Sequence, residues 1–200
     1  MKNYLFAAGA ALVAASLSFG VLAAWDGWSG GDDGLPVQER AKGFELTNQN
    51  GDTVSLQGSG GKVRLVSFFY VRCPHPSMCP SGTKKLVELQ ESLGKRNEEV
   101  VFLRVSFDPE NDRPETLKKY GRAYGVDFAN WHFLTGEADA IEAACETYDI
   151  DLVEKKEGLY KHSMLLYLID QQGHVRKVYA GMMWKPETVE KDVRTLLDET

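Results

Sequence analysis

Apolar positions along the chain switch between two spacings, and each switch marks a boundary. Phe44-Glu45-Leu46 and Thr53-Val54-Ser55-Leu56 alternate with period two around the turn residues Asn50-Gly51-Asp52, which predicts an opening hairpin. Beyond Gly58-Ser59-Gly60-Gly61, the run Val63 to Val71 reads as a strand buried on both faces. Leu86, Leu89 and Leu93 then recur at helical spacing, with Pro80 in the first turn and Gly94 at the end. Val100 to Phe107 is a second buried strand, and Pro114 to Tyr124, closed by Gly125, a second helix. Trp131 to Leu134 is a short strand. A helix carrying Ala140, Ile141, Ala144, Cys145 and Tyr148 on one stripe follows. Met164 to Ile169 and Val175 to Tyr179 pair around Asp170-Gln171-Gln172-Gly173. Pro186 opens a last amphipathic helix through Val189, Val193, Leu196 and Leu197.

Strand, helix, strand, helix, then a hairpin and a helix is the thioredoxin order. The expected fold is therefore α/β and thioredoxin-like, with an N-terminal β-hairpin extension and an inserted helix. Before it stand two segments of other composition. Residues 1–24 carry Lys2 and then no charge from Tyr4 to Ala24, which fits either a cleaved signal peptide ending near Val21-Leu22-Ala23 or a retained membrane anchor. Residues 25–43, rich in Gly and Asp, read as a flexible tether, and 44–200 as the folded domain. Either reading of the leader exports the domain, to the periplasm or facing it from the inner membrane. There, cysteine pairs oxidise unless a metal or a reductant holds them. A net charge of -6 without a basic cluster argues against a nucleic-acid partner.

The chemistry concentrates where the first buried strand runs into its helix, at Cys73-Pro74-His75-Pro76-Ser77-Met78-Cys79-Pro80. Two thiols on one short loop can form a disulfide, exchange one, or hold a soft metal. The helix N-terminus favours a thiolate, and Cys79, next to Pro80, is the better placed of the two to feel it. Pro74 and Pro76 lower the entropy cost of bringing the sulfurs together. Soft thiolates select copper(I) or zinc, and imidazole suits copper, so a third ligand discriminates. His162, at the mouth of the strand starting at Met164, is either that ligand or a surface histidine at a strand end.

Taken in order, several pieces of the chain resemble the Sco/SenC family of copper-binding, thioredoxin-like proteins. They are Gly61-Lys62-Val63 leading into Phe68-Phe69-Tyr70, the two Cys-Pro steps, and Val105-Ser106-Phe107-Asp108-Pro109-Glu110. Then come Trp131-His132-Phe133-Leu134-Thr135-Gly136, His162-Ser163 and Tyr167-Leu168-Ile169-Asp170. The resemblance implies copper as the metal and Cys73, Cys79 and His162 as its ligands. It implies maturation of the CuA centre in cytochrome c oxidase subunit II as the role, by copper delivery or by thiol reduction. A copper donor or thiol reductant is then an expected partner. Two departures stand out: five residues separate the cysteines where the family usually has three, and Lys161 precedes the histidine where an acidic residue is common. The longer loop adds His75 and Met78 as possible auxiliary ligands. A thiol–disulfide oxidoreductase or a copper or redox sensor using the same pair are the alternatives.

The remaining candidates read more simply. Cys145 lies on an apolar stripe and is a small buried hydrophobe, His132 between Trp131 and Phe133 is structural, and His174 after a turn is solvated. Met182 and Met183 are packing residues, and Asp108-Pro109 is a turn into a helix rather than half of an acid–base pair.

Overall fold

The computed structural model describes residues 35–154 and 160–199. The expected leader 1–24, the tether up to residue 34 and part of the loop before Tyr160 lie outside the described residues. Strands β1 (Glu45–Asn48) and β2 (Thr53–Ser55) form the opening hairpin, with Leu46 opposite Val54. Then follow β3 (Val63–Phe69), α1 (Cys79–Ser92), β4 (Val100–Ser106), α2 (Pro114–Ala123), β5 (Trp131–Thr135) and α3 (Ala138–Thr147). The chain closes with β6 (Leu152–Glu154), β7 (Tyr160–His162), β8 (Leu165–Ile169), β9 (Val175–Ala180) and α4 (Pro186–Asp198).

Among the described residues, seven strands make one mixed sheet in the order β2-β1-β5-β4-β3-β8-β9, and β6 pairs with β7 in a second. Central β3, β4 and β5 run parallel, while β8 is antiparallel to β3. Every residue of β3 and β4 is buried, which is why both read as continuous apolar runs rather than alternations. Neighbouring residues of a strand point to opposite faces. Phe69 packs on Tyr120 of α2, whereas Phe68 packs on Tyr148 at the end of α3, so α2 and α3 cover opposite faces. α1 lies on the α2 face, tied by Thr83 and Tyr120 at 2.7 Å, and packs on α4. This is the thioredoxin-like α/β arrangement, with the hairpin at one edge of the sheet. Among the described residues no helix is long and apolar enough to cross a membrane.

Three departures from the sequence reading have physical causes. Residues 35–43, assigned to the tether by composition, run along the far edge. Gln38 N–H donates to Val175 O at 2.9 Å, Val175 N–H to Glu39 O at 3.0 Å, and Ala41 N–H to Gly173 O at 2.9 Å. The edge strand β9 is thereby covered, and Leu35 and Ala41 are buried. Second, β3 stops at Phe69 rather than Val71, because the Val71 N–H donates to the Asp112 carboxylate (2.9 Å) instead of to a neighbouring strand. Third, the segment before His162 is a hairpin, with Leu152 opposite His162.

Candidate metal centre

The end of β3 is pinned from below by two carboxylates on the loop after β4. Asp112 Oδ2 accepts from Val71 N–H and from the Ser106 hydroxyl (2.6 Å), while Asp108 Oδ2 accepts from Arg72 at 2.9 and 3.2 Å. Both carboxylates are buried. The sequence reading treated Asp108 as a turn residue and passed over Asp112, since a side chain that fixes a strand end 41 positions upstream leaves no local pattern.

From that corner the loop rises through Cys73 and enters α1 at Cys79. Met78 is the N-cap and has no side-chain cap bond. The Met78 N–H reaches His75 O (3.0 Å) and Gly82 N–H reaches Met78 O (2.8 Å), closing the first turn. Free N–H groups at a helix start need acceptors. Here the backbone N–H groups of His75 and Cys79 favour charge on the sulfur of Cys73. The helix start and the neighbouring thiol therefore act on the two cysteines as one coupled pair. Cys73, half-buried, is pushed down to about 5, first by a hydrogen bond from Cys79 and then by those two N–H groups, against its own burial. Cys79, with its side chain fully buried, moves the opposite way because it is the thiol that donates to Cys73 and because burial disfavours its charge. The pair thus loses one proton readily and holds the second.

His162 ends β7 and is 7% exposed. Its Nδ1 lies 2.9 Å from the carbonyl oxygen of Ser163, which can only accept, so Nδ1 carries the hydrogen and Nε2 its lone pair. Nε2 faces Cys79 Sγ at 3.5 Å. Burial pushes the imidazole down, so it is neutral at pH 7. Phe107 packs on its ring with centroids 4.6 Å apart, and Tyr70 and Tyr160 complete an aromatic wall.

The structure thus brings Cys79 and His162 together, with Cys73 on the loop that leads into the same helix start. An ion bonded to sulfur at about 2.3 Å and to imidazole nitrogen at about 2.1 Å separates these ligands by roughly 3.6–3.8 Å at tetrahedral to trigonal angles. Cys79 and His162 already stand near that spacing, at 3.5 Å. Cys73 is the unfinished part. Its sulfur lies 3.9 Å from the His75 carbonyl oxygen, and no closed cluster of three acidic, cysteine or histidine side chains exists among the described residues. His75 stays exposed on the same loop, and Met78 is half-buried with its backbone committed to the helix start. A cavity of about 500 Å³ bordered by Gln49, Lys118 and Arg122 lies elsewhere and contains none of these residues.

Beneath the first turn of α1 lies a residue that sequence reasoning missed, because it sits inside an apolar strand run. Arg104 of β4 is buried, donates from Nη1 to Thr83 Oγ1 at 2.6 Å, and lies over the Phe69 ring at 4.5 Å. Cys145 is buried in α3, its thiol pushed up to about 12 by burial, as its apolar stripe led one to expect.

Comparison with known proteins bears on the same residues. The family model described as SCO1/SenC matches residues 33–198. The SCO1 protein homolog of Bacillus subtilis is 34% identical over 165 residues, covering 80% of this chain and 84% of that protein. Among solved structures, BsSco, a member of the Sco family of cytochrome c oxidase assembly proteins in which a disulfide switch was identified, superposes with TM-score 0.69 at 33% identity. It covers 82% of this chain and 97% of its own. Copper-bound ScoI of Bradyrhizobium japonicum gives TM-score 0.67 at 28% identity, covering 79% and 99%.

Proposed function

Because the chain belongs to the SCO1/SenC family, we propose that it binds copper through the Cys73 and Cys79 thiolates and the His162 Nε2, and serves the assembly of cytochrome c oxidase. The observation that carries this reading is the 3.5 Å approach of Cys79 Sγ to an imidazole nitrogen whose lone pair is left free by the Nδ1–H bond to Ser163. Two soft sulfurs and one borderline nitrogen suit copper better than a hard cation. Bound copper supplies a soft, exchangeable cation that passes between thiolates.

The protein's own residues do the rest. The α1 start and the His75 and Cys79 N–H groups hold Cys73 as the first thiolate. Cys79 must lose its proton as the ion arrives, so uptake releases protons and tightens as pH rises. The aromatic wall keeps His162 in one orientation and excludes water from one side of the site. Half-exposed Cys73 is the side from which a recipient's thiols take the ion by ligand exchange. His75 and Met78 sit on the same loop and extend the donor set on its open side. The recipient of this reading is a cysteine-bearing oxidase subunit facing the periplasm, and the leader delivers the domain there.

A second use of the same pair has its own support. One half-exposed, low-pKa thiol beside one buried thiol is the arrangement of an attacking and a resolving cysteine. The dithiol and disulfide states would then switch metal binding on and off. Copper stoichiometry and the thiolate-to-copper(II) absorption band of the purified chain test the site. Cys73→Ser, Cys79→Ser and His162→Ala are each expected to abolish the band or collapse its intensity. Wild-type spectra in all three variants would refute it.

A further inference from the structure

We infer that Arg104 is the buried counter-charge of the cysteine–histidine site, biasing it toward two thiolates around a monovalent cation; this rests on the ligand set proposed above.

Arg104 is 2% exposed, and among the described residues no carboxylate pairs with it. Its Nε has no hydrogen-bond partner among them. The guanidinium instead reaches under α1. Thr83 accepts from it and passes its own hydrogen to the Cys79 carbonyl at 3.0 Å. Gly82, in the same turn, lies against the guanidinium: a Cβ there would stand 3.8 Å from Nη2, an ordinary van der Waals contact. The groups able to carry negative charge in its field are Tyr120, Cys79, Tyr124 and Cys73, and His162 feels the same cation. Tyr120 hydrogen-bonds Thr83 as a neutral phenol, burial having raised it well above the usual range. Tyr124 is a phenol too, a side-chain type that is neutral at pH 7, and the two sulfurs are what remains to answer the charge.

A buried, unanswered cation is costly, and the cost falls when its surroundings become negative. Two thiolates and a neutral imidazole sum to a charge of about −2. With copper(II) the site is neutral, and Arg104 stays unanswered. With copper(I) the site carries one net negative charge, and Arg104 cancels it. The reduction adds one electron to the metal and breaks no protein bond, so the charge change is the whole of what Arg104 senses. In the metal-free protein the same cation favours the dithiol, which can ionise, over the disulfide, which cannot.

The test compares the full chain with Arg104→Met, which keeps the bulk and removes the charge, and Arg104→Lys, which keeps the charge. Arg104→Gln serves in place of Arg104→Met if that variant fails to fold by circular dichroism. Copper-loaded samples are poised at fixed potentials with mediators, and the copper(II) band is read. Removing the charge is expected to shift the copper(I)/copper(II) ratio at least about tenfold toward copper(II), a midpoint about 59 mV lower. Arg104→Lys is expected to stay within about threefold of wild type, because the charge is what acts over this range. An unchanged ratio in Arg104→Met overturns the inference, and so does a shift of equal size in Arg104→Lys, which would make the role one of shape.

If no sample holds copper, the ligand reading fails, and the metal-free equilibrium with dithiothreitol decides on Arg104 alone. There the protein S–S bond breaks as dithiothreitol closes to its cyclic disulfide. A shift of about tenfold toward the protein disulfide in Arg104→Met, absent from Arg104→Lys, is expected for a two-electron couple moved by about 30 mV. Equal positions of the equilibrium overturn the inference.

Discussion

The ionisation of Cys73 makes a prediction in which two opposing effects can be weighed. In the metal-free dithiol its pKa falls from 9.0 to about 5 because Cys79 and two backbone N–H groups donate to its sulfur. At pH 7 such a thiol is almost wholly ionised, against about 1% for an ordinary one, a gain of about 100-fold. A thiolate of lower pKa is also a weaker nucleophile: with a Brønsted slope of about 0.4–0.5, four units cost about 40- to 100-fold. The two nearly cancel, so a rate measured only at pH 7 says little. At pH 5 they do not cancel. About half of Cys73 is still ionised, against about one part in 10⁴ of an ordinary thiol, and the net advantage is about 50- to 120-fold. The assay is stopped-flow exchange with 4,4′-dithiodipyridine from pH 4 to 8 on fully reduced protein. The expected profile rises to a midpoint near 5 and is flat from 6 to 8, with two equivalents of thiopyridone released as Cys79 closes the intramolecular disulfide. Cys79→Ala is expected to move the midpoint upward and release one equivalent, since the hydrogen bond from Cys79 is the largest cause of the shift. A wild-type rate that climbs about tenfold per pH unit between 6 and 8 would refute this account of the loop.

Other expectations follow from single contacts. Burial holds His162 below its ordinary 6.5, so the stability it contributes is fully present above pH 6.5 and is lost as pH falls through the folded value. Urea stability should therefore drop more between pH 7 and pH 5 in wild type than in His162→Phe, and parallel curves would contradict this. In Gly121→Ala the new methyl would stand 2.6 Å from Phe128 Cζ and 2.7 Å from Phe133 Cε2. Overpacking of about 1–3 kcal/mol should outweigh the roughly 1 kcal/mol helix gain, and an unchanged or raised urea midpoint would show that the rings step aside freely. Asp112→Ala strips the acceptor from Val71 N–H and Ser106. It should cost about 1–3 kcal/mol in thermal or urea unfolding and weaken copper retention against a chromophoric chelator. Wild-type retention would mean that the corner below Cys73 is not held by Asp112.

Most of the architecture was legible because burial writes itself into residue spacing. β3 and β4 are buried along their whole length and read as unbroken runs; α2 and α4 open on Pro114 and Pro186 and keep one apolar stripe each. What the sequence could not carry was whatever depends on direction. The loop and helix start were evident, but that Cys79 turns its side chain fully inward while Cys73 stays half-exposed was not, and the two thiols ionise as a pair. Arg104 was hidden by its neighbours Leu103 and Val105, since a charged residue in an apolar run resembles an outward-facing position until the strand is seen covered on both sides. Residues 35–43 misled for the opposite reason. Their composition is polar, yet what fixes them is backbone pairing to β9, which composition does not report.

The depth at which Cys145 sits has a consequence for how the chain matures. Three thiols allow three intramolecular bridges, two of them wrong. With the Cys145 sulfur sealed away and kept protonated, the native fold leaves Cys73 and Cys79 only each other, and intramolecular oxidation after folding yields one product. Such a polypeptide can be handed to an oxidising environment already folded, with no need of an isomerase to sort its bonds.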